Sequence, residues 1–166
     1  MKTICSLVIS ADGLIAYPDG RSVSSDYNWQ VFQREAHDHN NFIVGRRTFE
    51  LATDALAQVK CDHKIIVSSR ADLTIPPGFT VAATPQAALG HLKDKVEATY
   101  LVGGAGINTS FAAAGLIDEL VLTVEPKVIG AGEHMFSSAL NDVKLELLES
   151  EPLPDNRIRL SYRIAK

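Results

Sequence analysis

The chain is poor in the features that mark a disulfide scaffold, a membrane span or a nucleic-acid binder. Cys5 and Cys61 are its 2 cysteines. Two thiols make no disulfide framework, and neither stands in a CxxC or Cys/His spacing that would hold zinc. Free thiols suit a reducing compartment, so a cytoplasmic location is expected. No run approaches the roughly 18 apolar residues of a membrane span. The apolar stretch after Met1 is broken at Ser10 and Asp12 with no cleavage site behind it, so no signal peptide is expected. Lys+Arg number 16 against 20 Asp+Glu, for a net charge of −4. That balance argues against a nucleic-acid partner. Repeats, low-complexity segments and linker-like composition shifts are also missing. What remains is a chain of 166 residues with 46% hydrophobic and 22% charged residues. It reads as a single domain over residues 1–166 with one sizeable core.

Apolar runs alternate with helical patterns along most of the chain. Thr3–Ser10, Phe42–Val44, Lys64–Ser68, Thr80–Ala83 and Thr99–Val102 read as short buried strands. Between them lie helical segments. One is capped by Ser25 or Asp26 and carries Trp29, Phe32 and Ala36 on one face. Another begins near Thr48, a third runs from Pro85 to about Lys95 behind a Thr84 cap, and a fourth is opened by Gly103–Gly106 and closed by Gly115. Residues 17–25, rich in Gly, Pro, Asp and Ser, read as a long loop. The last third is all strand: a run through Leu120, Leu122 and Val124, then Val143–Leu148, then Ile158–Ile164. In the last of these, apolar residues alternate with Arg157, Arg159, Ser161 and Arg163, which predicts a wet arginine face. Strand–helix–strand order requires crossovers and hence parallel pairing. The expected fold is a three-layer α/β/α domain with about eight strands, mostly parallel, and antiparallel C-terminal strands.

Three strand ends are friendly to anions. Gly103-Gly104-Ala105-Gly106 follows a strand and opens a helix, so it is either a phosphate turn or a plain tight turn. Gly45-Arg46-Arg47-Thr48 puts two cations at a helix N-terminus, the end that prefers anions. A bound phosphate would offset that cost. Ser68-Ser69-Arg70 offers two hydroxyls and a guanidinium. Ligands of open α/β sheets lie at the carboxyl ends of strands, so the three together fit one extended, multiply phosphorylated ligand. Asp12, in Ser10-Ala11-Asp12-Gly13, is either a turn former or a pocket residue. Asp26 is either a helix cap or an acid. His37-Asp38-His39 reads as a solvated helix end, and no metal site is expected. There is no GxSxG and no triad.

These pieces, in this order, resemble the dihydrofolate reductase-like superfamily. They are most similar to the riboflavin-biosynthesis reductase (RibD C-terminal) domain and its stand-alone relatives. The resemblance rests on Ser10-Ala11-Asp12-Gly13-Leu14-Ile15-Ala16, on Gly45-Arg46-Arg47-Thr48, on Gly103-Gly104-Ala105-Gly106 and on Leu116-Ile117-Asp118-Glu119-Leu120-Val121-Leu122-Thr123. It implies NADPH as cofactor. The turns at Gly45–Thr48 and at Gly103, Gly104, Ala105, Gly106 and Ile107 would hold the pyrophosphate. Ser68, Ser69 and Arg70 would lie near the 2′-phosphate, and Ile15 and Ala16 near the nicotinamide. The implied activity is hydride transfer to a C=N or C=O acceptor in a small heterocycle or carbonyl compound, in a homodimer. Trp29 and Phe32 would meet the acceptor, and Asp12, Asp26 or water would deliver the proton. Thr123 is either a hydroxyl that bonds the acceptor or an ordinary strand residue. The chain departs from dihydrofolate reductases in presenting Trp29, Phe32 and Ala36 where a helix carboxylate would bind the pteridine, with Glu35 displaced from that face and Asp26 before the helix. Dihydrofolate is therefore expected to be a poor substrate. The alternatives are dihydrofolate reductase proper and a non-catalytic nucleotide-binding domain of the same fold.

Overall fold

A computed structural model of the chain describes residues 1–70, 72–137, 140 and 142–165. Its strands are β1 (Lys2–Ser10), β2 (Leu14–Ala16), β3 (Asn41–Gly45), β4 (His63–Val67), β5 (Phe79–Ala82), β6 (Ala98–Leu101), β7 (Glu119–Glu125), β8 (Glu133–His134), β9 (Leu145–Leu153) and β10 (Arg157–Ile164). The helices are α1 (Asp26–Asp38), α2 (Arg46–Ala57), α3 (Pro85–Leu92) and α4 (Ala105–Ala113). The main sheet runs β5-β4-β3-β6-β1-β7-β10-β9. The pairs from β5 to β7 are parallel, and β10 is antiparallel to both β7 and β9.

Alternation in the buried strands sorts side chains into two cores. Ile43 of β3 and Ile65 of β4 join Cys5, Leu7 and Ile9 of β1 under Ala88, Leu92 and Phe111 of α3 and α4. Phe42, Val44 and Ile66 point the other way and meet Ala36, Phe49 and Leu56 of α1 and α2. The layers are thus α1 and α2, sheet, and α3 and α4, as the α/β/α reading requires.

Differences from the sequence expectations are local. The two-stranded sheet of β2 and β8 was not anticipated, because strands of three and two residues carry no readable period. Helix α2 starts at Arg46 rather than near Thr48, and α3 ends at Leu92 rather than Lys95. The Thr84 cap forms as expected, its hydroxyl accepting from Ala87 N at 3.1 Å. Strand β9 extends to Leu153 and takes in Pro152. The missing N–H does no harm there, because β9 is the edge of the sheet. Ser25 occupies the cap position of α1 but makes no capping bond, since its hydroxyl is committed elsewhere.

The largest correction concerns β10. Register puts Arg159 beside Thr123 of β7, and Thr123 beside Val8 of β1. Cross-strand partners share a face, and this is the face covered by α1. Arg157 and Arg159 are therefore largely enclosed, with side chains 10% and 24% exposed. The apolar partners divide: Leu160, Tyr162 and Ile164 pack on the core, while Ile158 is exposed.

Candidate functional site

Strands β3 and β6 are parallel neighbours, but the chain leaves them in opposite directions. Strand β3 leads through α2 outward to β4, and β6 leads through α4 across β1 to β7. The two connections diverge and open a crevice at the carboxyl ends of the strands, where α/β sheets bind ligands. The turns are tied at its base: Gly45 N donates to Gly103 O at 2.7 Å and Val102 N to Ile43 O at 3.0 Å. Gly103 has φ +97°, the left-handed region that favours glycine. At Gly104 an added Cβ would come within 3.0 Å of Thr48 Oγ1, so its absence keeps open the gap between the two turns.

Both helix N-termini on this crevice are bare. The cap residues of α2 and α4 are Gly45 and Gly104, neither of which supplies a side-chain acceptor, and neither helix has an acidic residue in its first turn. Free N–H groups and the positive ends of two helix dipoles therefore border the opening. Arg47, 74% exposed, stands 3.6 Å from Glu133. Arg46 is held bidentate by Glu50 at 2.7 and 2.9 Å. Such exposed pairs contribute little and yield readily to a multiply charged ligand.

A cavity of about 1030 Å³ runs from this crevice along α1. It brings together most of the residues singled out from sequence: Ile15 and Ala16 of β2, Gly45–Thr48, Ser68 and Ser69, Gly103–Ile107, Trp29 and Phe32 of α1, and Thr123 of β7. Three lie outside its wall. Arg70 turns to the surface and pairs with Asp72 at 2.7 Å. Asp26 is exposed in the first turn of α1. Asp12 accepts from Ile129 N at 3.2 Å and from Gly130 N at 2.8 Å, and so latches the 127–132 loop to the end of β1. Its carboxyl is pulled down to about 2, first by the Ser10 hydroxyl and next by the Gly130 N–H. A group so acidic holds no proton to donate at neutral pH.

The far end of the cavity is polar. Ser6, Asn28, Glu35, Thr123 and Arg159 line it alongside Trp29 and Phe32. Glu35 Oε1 accepts from Arg159 Nη2 at 2.5 Å, and Glu35 Oε2 receives only the Ser6 hydroxyl, at 3.5 Å. Behind this wall Glu125 is 4% exposed. It accepts from Arg157 Nε at 2.8 Å, from Ser25 Oγ at 2.9 Å and from the Asn28 amide. Burial pushes the Glu125 carboxyl up. The three donors outweigh it and hold the group below the ordinary glutamate range.

Sequence reasoning missed Asn28, Glu125, Arg157 and Arg159 as site residues, and its reading of Glu35 as displaced from the inward helix face is corrected, since Glu35 lines the cavity. Glu35 is three residues after Phe32, and Asn28 lies four before it, so both belong to the helix face that carries Phe32. That spacing was the available signal. Glu125 and Arg157 are joined only by the register of β7 and β10, which no local pattern discloses.

The fold and the crevice define a dihydrofolate reductase-like domain, and comparison with known proteins narrows this. The RibD C-terminal domain family model matches residues 1–158. The chain therefore belongs to the RibD C-terminal domain family. It is 26% identical over 157 residues to the uncharacterized protein YwjB of Bacillus subtilis, with 88% of each chain covered. The fold is shared with a putative riboflavin biosynthesis protein from Shewanella (TM-score 0.79, 19% identity, all of both chains covered). A diaminohydroxyphosphoribosylaminopyrimidine deaminase/5-amino-6-(5-phosphoribosylamino)uracil reductase from Thermotoga maritima also matches (TM-score 0.79, 17% identity), with 99% of this chain covering 56% of that one. So does Enterococcus faecalis dihydrofolate reductase complexed with NADP(H) (TM-score 0.78, 19% identity, 99% and 97% covered).

Proposed function

We propose that the chain is an NADPH-dependent reductase that transfers hydride to a C=N or C=O bond of a small heterocyclic or carbonyl acceptor. The observation that carries this reading is the pair of uncapped helix N-termini at the β3/β6 switch point, opening on one cavity that continues to Thr123 and Arg159. The donor set fits the cofactor. Backbone N–H groups of the turns at Gly45–Thr48 and Gly103–Ile107 suit a diphosphate, with Thr48 Oγ1 beside the Gly104 gap. Ser68, Ser69 and Arg47 suit the additional phosphate, and Ile15 and Ala16 supply an apolar seat for the nicotinamide. NADP(H) in the Enterococcus neighbour and the reductase name of the Thermotoga neighbour support the same reading.

When bound, NADPH supplies a hydride from the nicotinamide C4. This chain's residues orient and exclude. Trp29 and Phe32 wall the acceptor end and keep water out, and Thr123 offers a hydroxyl that has no partner among the described residues. We assign Thr123 to hold the acceptor or the water that protonates it, in place of Asp12 and Asp26. A non-catalytic nucleotide-binding role is favoured by one observation, that neither aspartate lines the cavity. NADPH oxidation measured over a panel of pterins, pyrimidines and quinone-like acceptors separates the two. Turnover on any of them supports the reductase, and binding with no turnover on all of them supports the nucleotide binder. A second copy of the chain is assigned to the exposed Leu145, Leu147, Leu148 and Ile158 of the β9–β10 edge, giving the homodimer. The free thiols suit the cytoplasm. Among the described residues no helix is long and apolar enough to cross a membrane.

A further inference from the structure

We propose that Glu35 and Arg159 form the specificity-determining pair of the acceptor end, and that they select acceptors carrying an unsubstituted lactam edge, an N–H next to a C=O. This rests on the reductase reading for the location of the acceptor.

The pair is built into the wall of the cavity. Arg159 enters from β10, opposite Thr123, and Glu35 from the last turns of α1. Their side chains are 24% and 12% exposed. Burying two charges is costly, and an apolar pair of the same volume would serve stability as well or better. A charge pair kept at that cost beside an apolar wall of Trp29, Phe32 and Val8 points to recognition.

The pair is also incompletely used. Arg159 spends Nη2 on Glu35 Oε1, while Nε and Nη1 have no partner among the described residues. Glu35 Oε2 has only the Ser6 hydroxyl at 3.5 Å, the outer limit of a hydrogen bond. At 24% and 12% exposure neither side chain is sealed from water. The wall therefore presents guanidinium donors next to a carboxylate acceptor, with local charge already balanced. A free anion would meet Glu35 as well as Arg159. A bare cation, or the paired donors of a 2-aminopteridine, would meet Arg159 as well as Glu35. A neutral edge in which N–H faces Glu35 Oε2 and the adjacent C=O faces Arg159 satisfies both.

Lumazine, a pteridinedione with free N–H groups, and 1,3-dimethyllumazine, in which both are methylated, isolate this edge. Binding is measured by lumazine fluorescence with and without NADPH. The variants are Arg159→Met and the double variant Glu35→Leu/Arg159→Met, which removes both charges and so leaves none unpaired. NADPH affinity and thermal melting establish that each variant is folded and that its cofactor end is intact. The wild-type protein is expected to favour lumazine over the dimethyl compound by at least about ten-fold, the effect of one charge-assisted bond. The double variant is expected to bring the ratio near one with NADPH affinity unchanged. Wild-type protein that ignores lumazine, prefers the dimethyl compound, or prefers a carboxylated analogue over both overturns the proposal. So does a folded double variant that keeps the preference. Failure of NADPH to bind would refute the cofactor reading and still leave the lumazine ratio legible in the apo-protein.

Discussion

Gly104 is where the cofactor reading can be tested with the least damage to the fold. Its backbone, at φ −77° and ψ −164°, lies in the extended region that any residue adopts. An added Cβ meets one atom, Thr48 Oγ1 at 3.0 Å, the end of a side chain that can shift by a few tenths of an ångström. Valine would add two further methyls to the gap between the bare N-termini of α2 and α4. A diphosphate displaced from both turns would lose at least two charge-assisted bonds at roughly 1.5–3 kcal/mol each. Affinity should then fall by about a hundred-fold or more. The control is Gly90→Ala. Gly90 lies inside α3 with no atom near its Cβ position. Alanine there should stabilise the chain by about 0.5–1 kcal/mol and leave cofactor binding alone. Calorimetric titration with NADPH, paired with a thermal melt, reads both effects. A Gly104→Val protein that melts like wild type and binds NADPH within about three-fold of its affinity would refute the reasoning.

Four further outcomes follow from the same geometry. Arg157→Met leaves the Glu125 carboxylate buried without its cation and should cost about 3 kcal/mol, near the low end for a broken buried pair, seen in denaturant melts. Because Glu125 titrates below its ordinary value, its stabilising contribution is full above about pH 4.5 and is lost as pH falls through the lower folded value. Glu125→Gln should flatten that acid limb, and an unchanged limb would assign it to other groups. Thr123→Val should lower kcat on whichever acceptor is turned over while NADPH affinity stays within about two-fold; a parallel loss of NADPH binding would make Thr123 structural. Dihydrofolate should be a poor substrate, and Asp26→Asn should leave its turnover unchanged, since Asp26 lies outside the cavity. Fast turnover that the variant abolishes would reverse that assignment.

The buried strands were legible because parallel strands covered on both faces read as continuous apolar runs, as in Phe42–Val44 and Ile65–Val67. The crevice was legible because its glycines and cations stand at strand ends, where a local rule is broken and a ligand would repair it. The polar far end of the cavity was legible only in Trp29, Phe32 and Thr123. Alternation in β10 separates its arginines from its apolar residues but does not say which set faces water. On the side of β10 away from α1 Ile158 is exposed while Leu160, Tyr162 and Ile164 pack on the core, and on the α1 side Arg159 is enclosed. Asn28 draws no reading from sequence and Glu35 reads as displaced from the helix face, because the polar cavity both line is completed by strands far away in sequence. Asp12 was left between turn and pocket, and the structure assigns it to a third task, holding the 127–132 loop.

The central claim is that the β3/β6 crevice is an NADPH site. The most direct test is calorimetric titration of the wild-type chain with NADPH and with NADH under the same conditions. Both are expected to bind saturably, with NADPH tighter by about ten- to a hundred-fold, the worth of one added phosphate held by charge-assisted bonds. Equal affinities would contradict the assignment of Arg47, Ser68 and Ser69, and the absence of binding by either nucleotide would contradict the claim itself.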